Sequence, residues 1–151
     1  QSYNLVPYLS VRENIAISDT LAGRRSDQRR LEEVLSRLRL ESRANSLTST
    51  LSGGEQQRVA LGRILYRRPA IVFADEPTGA LDTRSASVVL YELRRLADEG
   101  ATVVLVTHDL NAASLADSVM ILRDGHIISR LDSGISSEIL LSIMNNAVEG
   151  E

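Results

Sequence analysis

The sequence predicts an α/β protein in which an α-helical part is followed by a mainly parallel sheet core. Three observations predict it. Before Pro69, apolar residues recur at helical spacing behind Ser-x-x-Glu capping boxes. After Pro69, short β-branched and aliphatic runs alternate with a helical stretch. The first of those runs, 70–74, ends directly in two adjacent carboxylates, Asp75 and Glu76. On this reading residues 1–68 form a helical subdomain, 69–131 the α/β core and 132–151 a helical tail.

Taken in order, Ser10-Val-Arg-Glu13 has capping-box spacing, which predicts a short helix through about Ile17. From Ser26, Leu31, Val34, Leu35 and Leu38 recur with charged residues on the opposite face, an amphipathic helix ending near Leu40. Ser52-Gly-Gly-Glu55 repeats the capping-box logic, and Pro69 stops the helix it opens. Strands follow at 70–74, 102–106 and 119–122. Strand, helix, strand implies parallel pairing. The intervening helix starts near Asp82 or Thr83, buries Val88, Val89, Leu93 and Leu96, and stops at Gly100. Arg123-Asp-Gly-His126 predicts a tight hairpin turn, because Asp-Gly supplies the positive φ such a turn needs. A last helix runs over 136–146, with Ile135, Ile139, Leu140 and Ile143 as an apolar face.

Composition narrows the function classes. A net charge of -3 with interspersed signs provides no broad basic field, which argues against nucleic acid as a partner. No cysteine is present, so disulfide scaffolds and thiolate metal sites are excluded. The longest apolar runs fall far short of the roughly 20 residues that cross a bilayer, so direct membrane insertion is not expected and any association runs through a partner. All 17 basic residues are arginines.

Four constellations carry chemistry. In Leu51-Ser-Gly-Gly-Glu-Gln-Gln57, two glycines behind a serine at a helix start let a phosphate approach free amides and the positive end of the helix dipole. Read alone, Ser-Gly-Gly serves equally as an N-cap with no ligand. In the stretch from Ala70 to Asp82 (AIVFADEPTGALD), an apolar strand ends in Asp75 and Glu76, whose side chains point in opposite directions and so suit different tasks. One can help hold Mg²⁺, which takes one or two carboxylates plus substrate phosphates, and the other can address a water. A solvated acidic turn is the plainer alternative. His108 follows the run 102–106; a lone histidine at a strand end is by itself more often structural than catalytic. Gln1 opens the string QSYNLVPYLSVREN and carries little information alone.

Together these strings resemble the ATP-binding cassette (ABC) ATPases, in family order and over nearly all of residues 1–131. The resemblance implies a partial P-loop NTPase fold with ATP and Mg²⁺ as ligands. It makes Ser52, Gly53, Gly54 and Gln56 signature residues on the nucleotide of a second ABC domain, and Asp75 the Walker B magnesium residue. It also makes Glu76 the base for the attacking water, His108 the switch on the γ-phosphate, Gln1 the Q-loop residue near magnesium, and Asp82 the close of the D-loop at the dimer interface. His126 matches no motif. The wording around 75–82 and 3–7 looks most like the lipoprotein-releasing and macrolide-efflux type.

Departures from the family pattern shape the expectation. A phosphate loop of the Gly-x4-Gly-Lys-Ser/Thr kind needs a lysine, and the 151 residues contain none. The chain therefore reads as a piece starting at the Q-loop that does not hydrolyse ATP by itself. Gly62 stands where relatives usually have alanine, a helix-weakening choice of up to about 1 kcal/mol. In a full-length parent the resemblance implies an ATPase that energises a transmembrane permease from the cytoplasmic face of the inner membrane. A regulatory ABC ATPase acting on a cell-envelope or cell-division partner has the same motifs.

Overall fold

The computed structural model describes residues 3–79, 81–132 and 136–149. Gln1, Ala80 of the D-loop and Ile135 of the apolar tail face lie outside these residues. The chain forms two compact units, one of residues 1–72 with 77–103, the other of 73–76 with 104–151. The stretch 69–131 is thus shared between them.

The first unit is mainly helical. The short helix predicted after Ser10 is α1 (Val11–Ile15); the chain leaves helical geometry at Ala16, and a second short helix, α2 (Ile17–Leu21), follows that the sequence reading did not expect. The capping box is formed in full: the Ser10 side chain accepts from Glu13 N, and Glu13 returns a bond to the Ser10 backbone. Helix α3 (Gln28–Arg37) is capped by Asp27, whose Oδ1 accepts from Arg30 N at 3.1 Å. It stops at Leu38, and Arg39 takes the left-handed conformation with φ 55°. Helix α4 (Gly53–Arg67) ends before Pro69 with Arg68 likewise left-handed. Helix α5 (Thr83–Asp98) closes the unit. Their stripes meet in one core: Val11, Ile15, Leu31, Val34, Leu35, Leu38, Val59 and Leu65 are buried, and α5 contributes Val89, Leu93 and Leu96. Val88, expected in the core, is half-buried.

Two polar clusters hold this core in register. Asn14 is fully buried; its amide donates to the carbonyls of Val6 at 3.0 Å and Leu9 at 3.1 Å, and its Oδ1 accepts from Val6 N at 2.9 Å and Arg63 Nη2 at 2.6 Å. Each donor and acceptor of that side chain is satisfied, which burial demands. The loop 4–10 is thereby fastened to α4. Arg37 of α3 and Glu92 of α5 form an ion pair, Nη2 to Oε2 at 2.5 Å, with side chains only 9% and 3% exposed.

Strand β1 (Ile71–Asp75) pairs with β2 (Thr102–Val106). Bonds from Thr102 N to Ala70 O and from Glu76 N to Val106 O run the two strands in parallel, as expected of a strand, helix, strand unit. In the second unit a short helix α6 (Leu110–Ala113) precedes a hairpin of β3 (Ser118–Arg123) and β4 (His126–Asp132), and α7 (Ser137–Glu149) follows. The hairpin turn is Asp124-Gly125, with φ of 50° and 78°, as the dipeptide predicts. The hairpin turn implies the returning strand β4, but its extent was not legible, because Ile127 and Ile128 are adjacent and both exposed and break the period-2 signal.

Candidate nucleotide site

The second unit contains the acidic strand end. Strand β1 runs apolar through Val72 and delivers Asp75 exposed at its last position and Glu76 immediately after it. Glu76 N donates to Val106 O at 2.9 Å, so the ends of β1 and β2 are tied together. Glu76 then adopts φ 43°, a left-handed conformation unusual for a residue other than glycine, and the chain turns through Pro77. This turn brings Glu76 to His108, which is 32 positions away in sequence.

Glu76 is held on three sides. Its Oε1 accepts from His108 N at 2.9 Å and lies 2.8 Å from His108 Nδ1, and its Oε2 accepts from Thr107 Oγ1 at 3.3 Å. The bond from the His108 ring, with the backbone and hydroxyl donors, holds the Glu76 carboxyl below its usual range, so the carboxylate is the favoured form. An ionised Glu76 requires the proton on Nδ1, which leaves Nε2 of the exposed imidazole directed away from the bond. The Asp75 carboxylate beside it makes no hydrogen bond or ion pair among the described residues. Thr107 was not singled out from the sequence; its only signal there is its place between the strand and His108.

The first unit contains the glycine turn. Ser52 caps α4, donating to and accepting from Glu55: Ser52 Oγ lies 3.0 Å from Glu55 Oε2, and Ser52 N donates to that carboxylate at 2.9 Å. That backbone donation, with further bonds from Ser52 Oγ and Arg43, keeps Glu55 below the normal carboxylate range. Gly53 and Gly54 occupy the first two helical positions, and their amides meet no protein acceptor among the described residues. A Cβ on Gly53 would touch nothing within 4 Å, so that side of the turn is open to an incoming group. Gln56 faces inward: its amide donates to Thr48 O at 3.2 Å and Leu51 O at 3.3 Å.

Asp82 is also engaged. It caps α5, accepting from Arg84 N and Ser85 N at 3.0 Å and from Ser85 Oγ at 2.8 Å, and these bonds lower its pKa, the Ser85 amide most. Ser85 Oγ accepts in turn from Arg58 Nη1 of α4 at 3.2 Å, which links the helix of the glycine turn to the helix that Asp82 opens. Ser85 and Arg58 had no sequence signal beyond helical periodicity. Gln1 lies outside the described residues.

The residue chemistry fits the ligands that such motifs imply. Two open amides at the positive end of a 15-residue helix suit a phosphate. A free Asp75 suits Mg²⁺, which is held by one or two carboxylates together with phosphates rather than by a protein cage.

The profile of the family described as "ABC transporter" matches residues 1–79, more than half of the chain. The chain belongs to the ABC transporter family. It is similar in sequence to ATPases of the macrolide-export type. It is 42% identical over 144 residues to the macrolide export ATP-binding/permease protein MacB of Pasteurella multocida, covering 94% of this chain and 22% of that protein. It is 44% identical over 130 residues to MacB of Shigella flexneri, covering 85% and 20%. The chain thus spans about a fifth of the length of these curated relatives. In structure it is similar to the dimeric ATP-binding cassette MJ0796 in a post-hydrolysis state bound to ADP and Pi, with TM-score 0.75 and 35% identity over 87% of this chain and 60% of that one. A second dimeric structure of MJ0796 gives 0.74, at 36% identity and the same coverage. The fold is that of the ABC ATPase cassettes.

Proposed function

We propose that this chain is the signature-bearing and Walker B-bearing part of a cassette that hydrolyses ATP to energise a membrane permease. The observation that carries the proposal is the meeting of Glu76 and His108 at paired strand ends, beside the free carboxylate of Asp75. In this reading Glu76 accepts the proton of the attacking water, Asp75 helps hold Mg²⁺, and His108 addresses the γ-phosphate through its outward nitrogen. Bound Mg²⁺ supplies charge neutralisation on the phosphates. Ser52, Gly53 and Gly54 receive the γ-phosphate of a second cassette, Gln56 braces the turn that presents them, and Asp82 fixes the D-loop end at the dimer interface. Gln1 is the Q-loop residue. The dimeric state of MJ0796 and its bound ADP and Pi support a nucleotide sandwiched between two such chains. The export and permease functions for which the MacB relatives are named support transport over a purely regulatory role.

No helix of the described residues is long and apolar enough to cross a membrane. Attachment through a permease at the cytoplasmic face of the inner membrane follows from the proposal.

Magnesium-dependent ATP hydrolysis by the 151-residue chain, beside a version extended upstream through a lysine-bearing phosphate loop, tests the reading. Turnover is expected only in the extended protein, and there Glu76→Gln should retain bound ATP and a closed dimer. Normal turnover by Glu76→Gln would overturn the assignment of the base.

A further inference from the structure

The two glycines of the turn have different surroundings. A Cβ on Gly53 would meet nothing within 4 Å, whereas one on Gly54 would lie 3.3 Å from Ser85 Oγ, 3.5 Å from Leu81 Cδ2 and 3.6 Å from Ser85 Cβ. Gly53 is exposed and Gly54 half-buried. The turn is therefore open to an incoming group at Gly53, and at Gly54 the start of α4 closes on the residues around the start of α5.

Ser85 cannot simply step aside. It is only 8% exposed, and its hydroxyl is held from two directions: it donates its one proton to Asp82 Oδ2 at 2.8 Å and accepts from Arg58 Nη1 at 3.2 Å. Arg58 makes no other hydrogen bond or ion pair among the described residues, and its Nε is buried without a partner. Rotating the hydroxyl away from Gly54 therefore breaks the bond to Asp82 or the one from Arg58. The start of α5 does not need that hydroxyl, because Asp82 Oδ1 already caps the helix through the backbone amides of Arg84 and Ser85. What the hydroxyl adds is a connection from the glycine turn to Asp82.

We propose that Ser85 is a positioning residue that locks the glycine turn to Asp82, with Gly54 resting on its hydroxyl and the hydroxyl bonded to the Asp82 carboxylate. Ser85 itself touches no nucleotide. The inference rests on the function proposed above, in which the turn receives the γ-phosphate of a second cassette and Asp82 stands at the dimer interface. One contact then sets the spacing of both groups, so that they meet the partner together. Glycine is required at position 54 for this packing, in addition to any approach of phosphate to its amide. Displacing groups around a reacting centre by about 1 Å can cost on the order of 10²-fold in rate, so a modest shift of this contact has a measurable effect.

The first test uses the 151-residue chain and reads the Asp82 carboxyl midpoint by NMR, which requires no nucleotide. Ser85→Ala should raise that midpoint toward 3.8, since it removes a bond that lowers it. Gly54→Ala should raise it too, by pushing the hydroxyl off Asp82, and should add nothing once Ser85→Ala is present. Gly53→Ala should leave it where it is. An Asp82 midpoint unmoved by Gly54→Ala, or moved equally with and without Ser85→Ala, would overturn the proposal. The second test uses the protein extended through a lysine-bearing phosphate loop. There Ser85→Ala should lower kcat about tenfold while KM for ATP changes less than about twofold, the pattern of a contact made in the transition state. Parent-like turnover by Ser85→Ala, with Glu76→Gln inactive, would overturn this inference alone. An inactive extended parent, or normal turnover by Glu76→Gln, would overturn the proposed function and with it the role given to Ser85.

Discussion

Replacing Gly62 by alanine sets two physical effects against each other. In an isolated helix the change should stabilise by up to about 1 kcal/mol, since glycine is among the poorest helix formers. In this fold Gly62 is buried in α4, and a Cβ built there would sit 2.9 Å from Ile15 Cγ1, 3.0 Å from Ile15 Cδ1 and 3.1 Å from Leu38 Cδ1. Both neighbours are fully buried, so neither can swing into solvent, and Ile15 Cγ1 is not the free end of its side chain. Overpacking of this kind costs about 1 to 3 kcal/mol, which outweighs the propensity gain. The expected net effect is a loss of about 1 kcal/mol, or a fall in melting temperature of about 2 to 4 °C for a chain of this size. Urea unfolding followed by far-UV circular dichroism would read it as a lower midpoint with an unchanged slope. Adding Ile15→Val, which removes Cδ1, should cost less in the alanine background than its own ordinary cost of about 0.5 to 1.5 kcal/mol. A Gly62→Ala chain more stable than the parent, or strictly additive effects of the two changes, would refute this account of the contact.

Three further predictions follow from the same structure. Glu92→Ala strands Arg37 in a buried site where Glu99 at 3.7 Å and Glu33 at 3.9 Å compensate only partly, so a loss of about 3 kcal/mol is expected from urea titration; an effect under about 0.5 kcal/mol would place the pair in solvent. Tyr66→Phe removes a hydroxyl that donates to Asp19 Oδ2 at 2.6 Å and accepts from Asp27 N at 2.8 Å, for a cost of about 1 to 2 kcal/mol. Because the Tyr66 bond is the largest influence lowering the Asp19 pKa, the Asp19 midpoint should rise toward 3.8 in the same variant, as carboxyl NMR would show. Glu76 should titrate below 4.5 in the folded chain and return toward 4.5 in His108→Ala. A depressed carboxylate contributes stability above its unfolded pKa and loses it as pH falls through the folded one, so the tie to His108 persists at neutral pH and fails on acidification. Identical midpoints in parent and variant would mean that the His108 bond is not formed in solution.

Much of the local structure was legible because it is set by neighbours in sequence. Ser10 with Glu13 and Ser52 with Glu55 form complete capping boxes, and Asp124-Gly125 makes the turn its φ preferences demand. The acidic strand end and the glycine turn were legible too, as strings that match a family order. What escaped the sequence reading is long-range or locally atypical. Helix α2 (Ile17–Leu21), beyond the break at Ala16, had no capping signal of its own. Thr107 and Ser85 matter through oxygens placed beside residues distant in sequence or across an element end.

The sequence by itself determined that the chain is α/β, where most of its helices start, and which residues could bear phosphate, metal and proton chemistry, since caps, turns and periodicity act within a few residues. Only the tertiary structure decided that Glu76 and His108 hydrogen-bond across 32 positions, that Arg37 finds Glu92, and that Gly62 has no room for a methyl. Those outcomes depend on how separate elements pack, and packing distances are not encoded in any one local stretch of the chain.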